Sequence, residues 1–513
     1  MAKHSIKSVG IIAVLGISFV GVCMVHAAPK GVSGPGVTCG PPPKAKPTRM
    51  TGGESLPPLP LPATTLRRTE RKREPAPPAL VAKVAYGKPV WVVVNGQRRQ
   101  YRDWTTDPDD MKQLLRWTNA KLGIRYRSFD TDLRKCSFDP AEIPVLYFTG
   151  HQGLPKLSEA VRTKLRQYVL DGGTIVGDAC CGAKDFTRAF RQEMAAIFPR
   201  RELARLPEDH PLFASFYRIN QVRVKKNDEY LETLPYVEGI NIGCRTAVIF
   251  FPIDVSCGWD GHVHPDREGV WYSVRDARTL GANLVTYVLA NYQYGRMFST
   301  EKKYYEAGKG ARGEFIFAQA RHNGDWDPTP HGVPNLLKYL QENSTVDTAF
   351  KRTTVNLSEL DAFETPIVYL TGLRAPRLSD AERARVREFL DNGGVLVIDA
   401  AAGSRAFDQA MRAELARIRP KQKLKLLKLD HPLYKAVFDC RQVRYAPMLT
   451  REQPGLTVPI MEGIIKDGQL CILYSRFGLG AGWEQLPNPY NRGYADRDAL
   501  RLGVNALVYA MTH

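Results

Sequence analysis

VLYFTGHQGLPKLSEAVRTKLRQYVLDGGTIVGDACCG, residues 145–182, recurs as IVYLTGLRAPRLSDAERARVREFLDNGGVLVIDAAAG, residues 367–403. Each stretch opens on a short apolar run, Val145–Phe148 or Ile367–Leu370, that ends in Thr-Gly. Ser158 or Ser379 follows at the place of a helix N-cap, and the amphipathic run after it stops at a Gly-Gly pair, which supplies the left-handed turn at a helix end. A second apolar run comes next, Thr174–Val176 or Val395–Ile398. Strand, capped helix and interior strand in this order predict a parallel sheet with helices on both faces.

Outward from this unit the correspondence continues at offsets of 221 to 224 residues. Asp103-Trp104 recurs as Asp325-Trp326, Asp209-His210-Pro211-Leu212 as Asp430-His431-Pro432-Leu433, Glu238-Gly239-Ile240 as Glu462-Gly463-Ile464, and Gly258-Trp259 as Gly482-Trp483. Arg275-Asp276-Ala277 with Asn283 recurs as Arg497-Asp498-Ala499 with Asn505. A period above 200 residues marks two globular units rather than a solenoid. Val90–Val94 and Phe315–Ala318 read as the first strand of each copy, followed by helices with apolar faces at Met111, Leu114 and Leu115 and at Val333, Leu336, Leu337 and Leu340. The expected architecture is therefore α/β: two tandem three-layer α/β/α domains with mainly parallel, flavodoxin-like sheets.

The ends of the 513-residue chain differ from these copies. Lys3, Lys7, the uncharged run Val9–Val25 and Val25-His26-Ala27 have the order of a secretory signal peptide over residues 1–28. An uncleaved anchor in the cytoplasmic membrane through residues 9–25 is the alternative. Thirteen prolines between Pro29 and Pro78, with few aromatics, predict a disordered basic tether over 29–87. The expected domains are 88–296 and 312–513, joined by a linker at 297–311. Of the net charge of +19, residues 1–88 carry +10 (13 Lys/Arg less 3 Asp/Glu), so more than half the excess lies outside the domains. That distribution favours an anionic membrane surface or an envelope polymer or protein over nucleic acid. Export would place the chain in the periplasm or another extracytoplasmic space, where nine scattered cysteines do not make a disulfide framework.

In open parallel sheets ligands bind beyond the carboxyl ends of the strands. The candidates on that edge are Asp103, Trp104, His151, Asp178 and Trp259 in the first copy and Asp325, Trp326, Asp399 and Trp483 in the second. For the aspartates the structural alternative is a turn acceptor at a helix start. For the tryptophans, stacking on sugar rings and covering the strand ends are the two readings. Cys180 and Cys181 are candidate nucleophiles. His151, Cys180, Cys257, His262 and His264, with Cys181 and Asp178 beside them, have the ligand types of a zinc site, although their spacing matches no zinc module and a disulfide from Cys257 to Cys180 or Cys181 competes.

The stretch from Val145 resembles the class I glutamine amidotransferase-like fold, and the ordered set of motifs in both copies, over residues 88–293 and 312–511, resembles the bacterial domain of unknown function DUF4159. Gly324-Asp325-Trp326 and Gly482-Trp483-Glu484 fit that domain's pattern, whereas the first copy has Arg102-Asp103-Trp104 and Gly258-Trp259-Asp260. The amidotransferase resemblance implies a Gly-x-Cys-x-Gly elbow after the Gly-Gly strand. The first copy has Gly177-Asp178-Ala179-Cys180-Cys181-Gly182 there, one residue longer, and the second has Asp399-Ala400-Ala401-Ala402-Gly403, without a thiol. The leading expectation is a non-catalytic, exported tandem module that binds a ligand or envelope partner without a cofactor, its copies paired about a pseudo-twofold axis. The alternatives are a thiol- or metal-dependent hydrolase active only in the first copy and a saccharide-binding module.

Overall fold

The expected strand–helix–strand units form in both copies, and their sequence signals act as anticipated. The computed structural model describes residues 76–87, 89–94, 96–227, 229–261, 269–298, 316–346 and 352–513. The residues expected to form a signal sequence or anchor, the expected tether up to residue 75, most of the expected linker, and His262 and His264 lie outside the described residues. Ser158 Oγ accepts the Val161 N–H to start one helix, and Ser379 and Glu382 form a capping box on the other. Both Gly-Gly pairs divide their work. Gly172 and Gly393 take the left-handed φ (+114° and +89°), while a Cβ on Gly173 or Gly394 would lie within 2.5 Å of the Tyr168 or Phe389 ring.

Seven strands make the first sheet: β1 (Ala79–Ala85), β2 (Arg127–Asp132), β3 (Val145–Gly150), β4 (Thr174–Ala179), β5 (Ala204–Arg205), β6 (Glu238–Ile242) and β7 (Arg245–Phe251). Their order is β2-β1-β3-β4-β7-β6-β5. The first five positions are parallel, with Val145 opposite Thr174 and Phe251 opposite Asp178; β6 pairs antiparallel with β7, and β5 antiparallel with β6 at the edge. Counted along the chain, the parallel strands have the order 2-1-3-4-5 of flavodoxin-like folds. The second sheet repeats this with β8 (Phe317–Arg321), β9 (Thr353–Asn356), β10 (Ile367–Gly372), β11 (Val395–Ala400), β12 (Lys425–Leu426), β13 (Met461–Lys466) and β14 (Gln469–Ser475).

Helices α1 (Asp110–Leu122), α4 (Ser256–Asp260) and α5 (Val274–Phe298) cover one face of the first sheet, and α2 (Glu159–Leu170) and α3 (Lys184–Ile197) cover the other. In the second domain α6 (Gly332–Asn343), α9 (Gly480–Glu484) and α10 (Asp496–Thr512) take the first role, α7 (Asp380–Asp391) and α8 (Arg405–Ile418) the second. Each sheet thus has an apolar core on both faces. Among the described residues no helix is long and apolar enough to cross a membrane.

Two expectations are corrected. The first strand of the first domain is Ala79–Ala85, which falls inside the expected tether, so the domain begins before residue 88. Among the described residues Val90–Val94 pairs only with Gln97–Arg102, in a hairpin outside the main sheet that has no counterpart in the second copy. The buried strand is obscured in the sequence by the prolines before it and by Lys83 at its centre. Lys83 is 2% exposed, and its ammonium is satisfied by the Asp110 carboxylate at 2.9 Å and the Asp107 carbonyl at 2.6 Å. The second correction concerns how the copies meet. Cys244, at the β6–β7 turn, gives its N–H to the Pro328 carbonyl (3.1 Å) and accepts Asn488 Nδ2 (2.8 Å), while Asn241 donates to Asp325 at 3.1 Å. The edge of the first sheet therefore sits on the rim of the second. Unlike surfaces meet, so the relation is head-to-tail and not a pseudo-twofold.

Candidate functional site: a thiol and carboxylate cluster at the rim of the first domain

Strand β4 ends in a tight turn before α3, and the turn carries Cys180 and Cys181, the latter at φ +56°. Ala402 holds the same position in the second copy at φ +49°, so the left-handed apex belongs to the fold rather than to the thiol. Beyond β7 the chain reaches Asp254 and then α4, which carries Ser256 and Cys257. Asp254 ties these two segments together: its carboxylate accepts the N–H of Cys181 at 2.7 Å and that of Cys257 at 3.1 Å.

Three thiols meet as a result. Cys180 Sγ lies 3.5 Å from Cys257 Sγ and 3.9 Å from Cys181 Sγ. At 3.5 Å the first pair is well beyond the ~2.05 Å of an S–S bond, so these are sulfurs in contact and not the disulfide weighed above. Asp107 Oδ2 accepts from Cys180 Sγ (3.0 Å), Cys257 Sγ (3.2 Å) and Ser256 Oγ (3.1 Å). On the outer side His151 Nε2 stands 3.1 Å from Cys181 Sγ, and its Nδ1 is 3.3 Å from Thr106 Oγ1. Cys180 and Cys257 are buried, and Cys181, at 7% exposed, is the most accessible of the three. The thiols of Cys180, Cys181 and Cys257 and a carboxylate oxygen of Asp254 all lie within 4.8 Å of one another.

Sheet register and chain order align this cluster with the second copy group by group. Asp107, His151, Cys180, Cys181, Asp254, Ser256 and Cys257 become Thr329, Leu373, Ala401, Ala402, Gly478, Gly480 and Ala481. What both copies keep is the frame. Asp178 accepts Val255 N–H and Thr149 Oγ1, and Asp399 accepts the N–H groups of Leu479 and Gly480 and the Tyr369 hydroxyl. Burial raises both carboxyls, that of Asp178 with the Asp254 charge beside it, and that of Asp399 to about 6.

The other sequence candidates divide. Asp103 is a buried loop clamp that takes the N–H groups of His151 and Gln152 and the Tyr86 hydroxyl. Trp259 and Trp483 are each 1% exposed, and their indole N–H groups donate to Ala277 and Ala499 carbonyls. They are core residues and present no face to a sugar. Trp104 is half-buried with its indole N–H enclosed and without a partner among the described residues, and the Trp326 ring carries the guanidiniums of Arg321 and Arg352 over it. Asp325 faces Asn241 of the first domain rather than an open cleft. His151, Cys180, Cys181 and Cys257 do converge. Sequence reasoning missed Asp107, Asp254 and Ser256. The signal that could have found them is their replacement by Thr329, Gly478 and Gly480 in the second copy.

The first domain covers part of the rim of the second, and a cavity at the joint is lined by Leu373, Ala401 and Ala402 of the second domain and His210 and Cys244 of the first. The Cys244 thiol enters it and is pushed up by burial and by Glu484, Asp399 and Asp325. Among solved structures, one from Silicibacter pomeroyi DSS-3, provisionally assigned as a phosphosugar isomerase, is 12% identical. It aligns 63% of this chain with 75% of that one at a TM-score of 0.14, too low to bear on fold or function. No curated protein matches the chain. Residues 81–289 and 316–511 each match the family described as Domain of unknown function (DUF4159). The two matches take in most of the chain and coincide with the two sheets described above, so the protein belongs to the DUF4159 family and carries its domain twice.

Proposed function

We propose that the protein is a non-catalytic binding module whose first DUF4159 domain holds a thiolate-bound metal ion of the zinc class, and whose second domain is a scaffold without thiols of its own at its rim. The observation that carries this reading is the spacing of the sulfurs. Tetrahedral zinc with bonds of about 2.3 Å sets its sulfur ligands about 3.8 Å apart. The two sulfur–sulfur distances from Cys180, 3.5 and 3.9 Å, bracket that value. Asp254 or Asp107 would complete a set of three thiolates and one carboxylate, and His151 would stand behind Cys181. Binding would displace the thiol protons, so affinity would rise with pH. Export, as expected from residues 1–28, would leave three neighbouring thiols in an oxidising space, where a bound metal keeps them from pairing.

Metal analysis of the purified chain tests this. About one zinc per chain is expected. Cys180→Ser/Cys257→Ser should lose it while keeping the wild-type circular dichroism. A wild-type protein that stays metal-free after incubation with zinc and exhaustive dialysis would sink the reading.

One observation favours a second reading. Cys181 stands at the apex of a strand–turn–helix elbow with His151 Nε2 at 3.1 Å, and His151 Nδ1 is 3.9 Å from Asp103. A nucleophile, a base and an orienting acid in that order support a thiol hydrolase of amidotransferase-like ancestry. Iodoacetamide kinetics on metal-free protein separate the two. A thiol reactive below about pH 7 that His151→Ala silences would favour the hydrolase.

A further inference from the structure

The edge of the second sheet carries a surface that the metal reading does not use. Strand β12 pairs with β13 on one side only. Beside it runs a groove of about 550 Å³ whose lining includes Lys421, Lys423, Lys425, Lys428, Leu426 and Ile465, against one carboxylate, that of Asp430. Leu426 is 59% exposed and Ile465 51%. Among the described residues none of the four lysines makes an ion pair, so four neighbouring ammonium groups stand without a carboxylate partner.

The duplication indicates what such a surface is for. In the first domain the same edge is already a protein interface, seated on the second domain's rim through Arg201 with Asp327, Glu202 with Arg374 and Asn241 with Asp325. The counterparts of Arg201, Glu202 and Asn241 in the second domain are Gln422, Lys423 and Ile465. The docking face has kept its shape and changed its chemistry from mixed charge to lysine and exposed aliphatic.

We infer that the β12 edge of the second domain binds an extended acidic segment of another protein. Its carboxylates meet Lys421, Lys423, Lys425 and Lys428, its apolar side chains lie on Leu426 and Ile465, and its main chain adds a strand to the open edge. Two occupants from this chain are disfavoured on charge and contacts. The tether is itself basic. A second copy would have to present the first domain's rim, where the places of Asp325 and Asp327 are taken by Asp103, buried under His151 and Gln152, and by the uncharged Thr105.

The test uses the full chain and a fluorescein-labelled peptide of alternating glutamate and valine, followed by anisotropy. Its controls are the same peptide with alternate backbone nitrogens methylated and vesicles of phosphatidylglycerol. The peptide should bind saturably. Lys423→Glu/Lys425→Glu and the methylated peptide should each weaken binding about tenfold or more, the first through charge, the second through lost strand pairing. The unfolding midpoint of the variant should stay within a degree or so of wild type, since exposed changes of this kind move stability little. Absent binding overturns the inference. So does binding indifferent to the lysines or to methylation, or vesicle binding through the same lysines that excess peptide fails to displace.

Discussion

Arg201 of the first domain donates to the Asp327 main-chain oxygen at 2.6 Å and to its carboxylate at 3.2 Å, and Arg352 holds the same carboxylate from the other side. This triad lies at the joint between the copies, and Arg201 and Asp327 are both largely buried. Breaking it leaves charge without its partner in a low-dielectric place. Arg201→Ala should lower the stability of the joint by about 2 kcal/mol, and Asp327→Ala, which strands two guanidiniums, by more, about 3 kcal/mol. In calorimetry the domains of either variant should unfold as two separated transitions. An unchanged single transition would show that the triad does not couple the copies.

Lys83 and Asp110 form a buried ion pair under α1. Burial lifts the Asp110 carboxyl to about 6 despite the ammonium beside it, so the pair is a cost that the geometry only just offsets. Lys83→Met should therefore destabilise the first domain by about 3 to 5 kcal/mol, because Asp110 is left buried with the Tyr147 hydroxyl and the Met111 N–H. Lys83→Gln/Asp110→Ala should cost well under half of that, following the second copy, where Gln319 and Gly332 hold these places. Urea unfolding of Lys83→Gln, Asp110→Ala and the double variant reads the coupling directly.

His322 is a neutral ring in the fold. Its Nδ1 accepts the Gly324 N–H at 3.0 Å, and its Nε2–H donates to the Thr371 carbonyl at 2.9 Å. Burial holds its pKa down, to about 4. An unfolded histidine binds a proton from about pH 6.5 downward, so unfolding takes up a proton between those two values. The contribution of His322 is whole above about pH 6.5 and is lost as the pH falls through about 4, on the order of 3 kcal/mol. Asp399 runs the opposite way. Its carboxyl is raised to about 6, so its contribution is present at acid pH and lost as the pH rises through about 6. The cleaner quantity is the difference between wild type and His322→Asn, which should shift in favour of the variant by about 3 kcal/mol from about pH 7 to about pH 4. A difference that does not move with pH would mean that the ring titrates alike in the folded and the unfolded chain.

Much of the fold was legible because its signals are local. Ser158 and Ser379 announced helices that Gly172 and Gly393 end, and the apolar runs between them became adjacent parallel strands. Strand β1 was hidden because a lysine stood in its centre, and only Asp110, 27 residues on, explains how that charge is buried. The site was half legible. Cysteines and a histidine on the loops after β3, β4 and β7 could be placed on one rim from topology alone. Asp107 and Asp254 looked like ordinary loop aspartates, because the thiol and N–H groups they bind lie 73 residues away along the chain.

By itself the sequence determined that there are two copies of one α/β unit, since caps, glycine turns and apolar periods act over a few residues and survive duplication. It also determined that only the first copy has sulfur at its rim. Tertiary structure alone decided that Trp259 and Trp483 are core, that the sulfurs of Cys180 and Cys257 touch, and that the edge of the first sheet sits on the rim of the second. Those outcomes depend on which distant surfaces exclude water together, and no local pattern of residues encodes that.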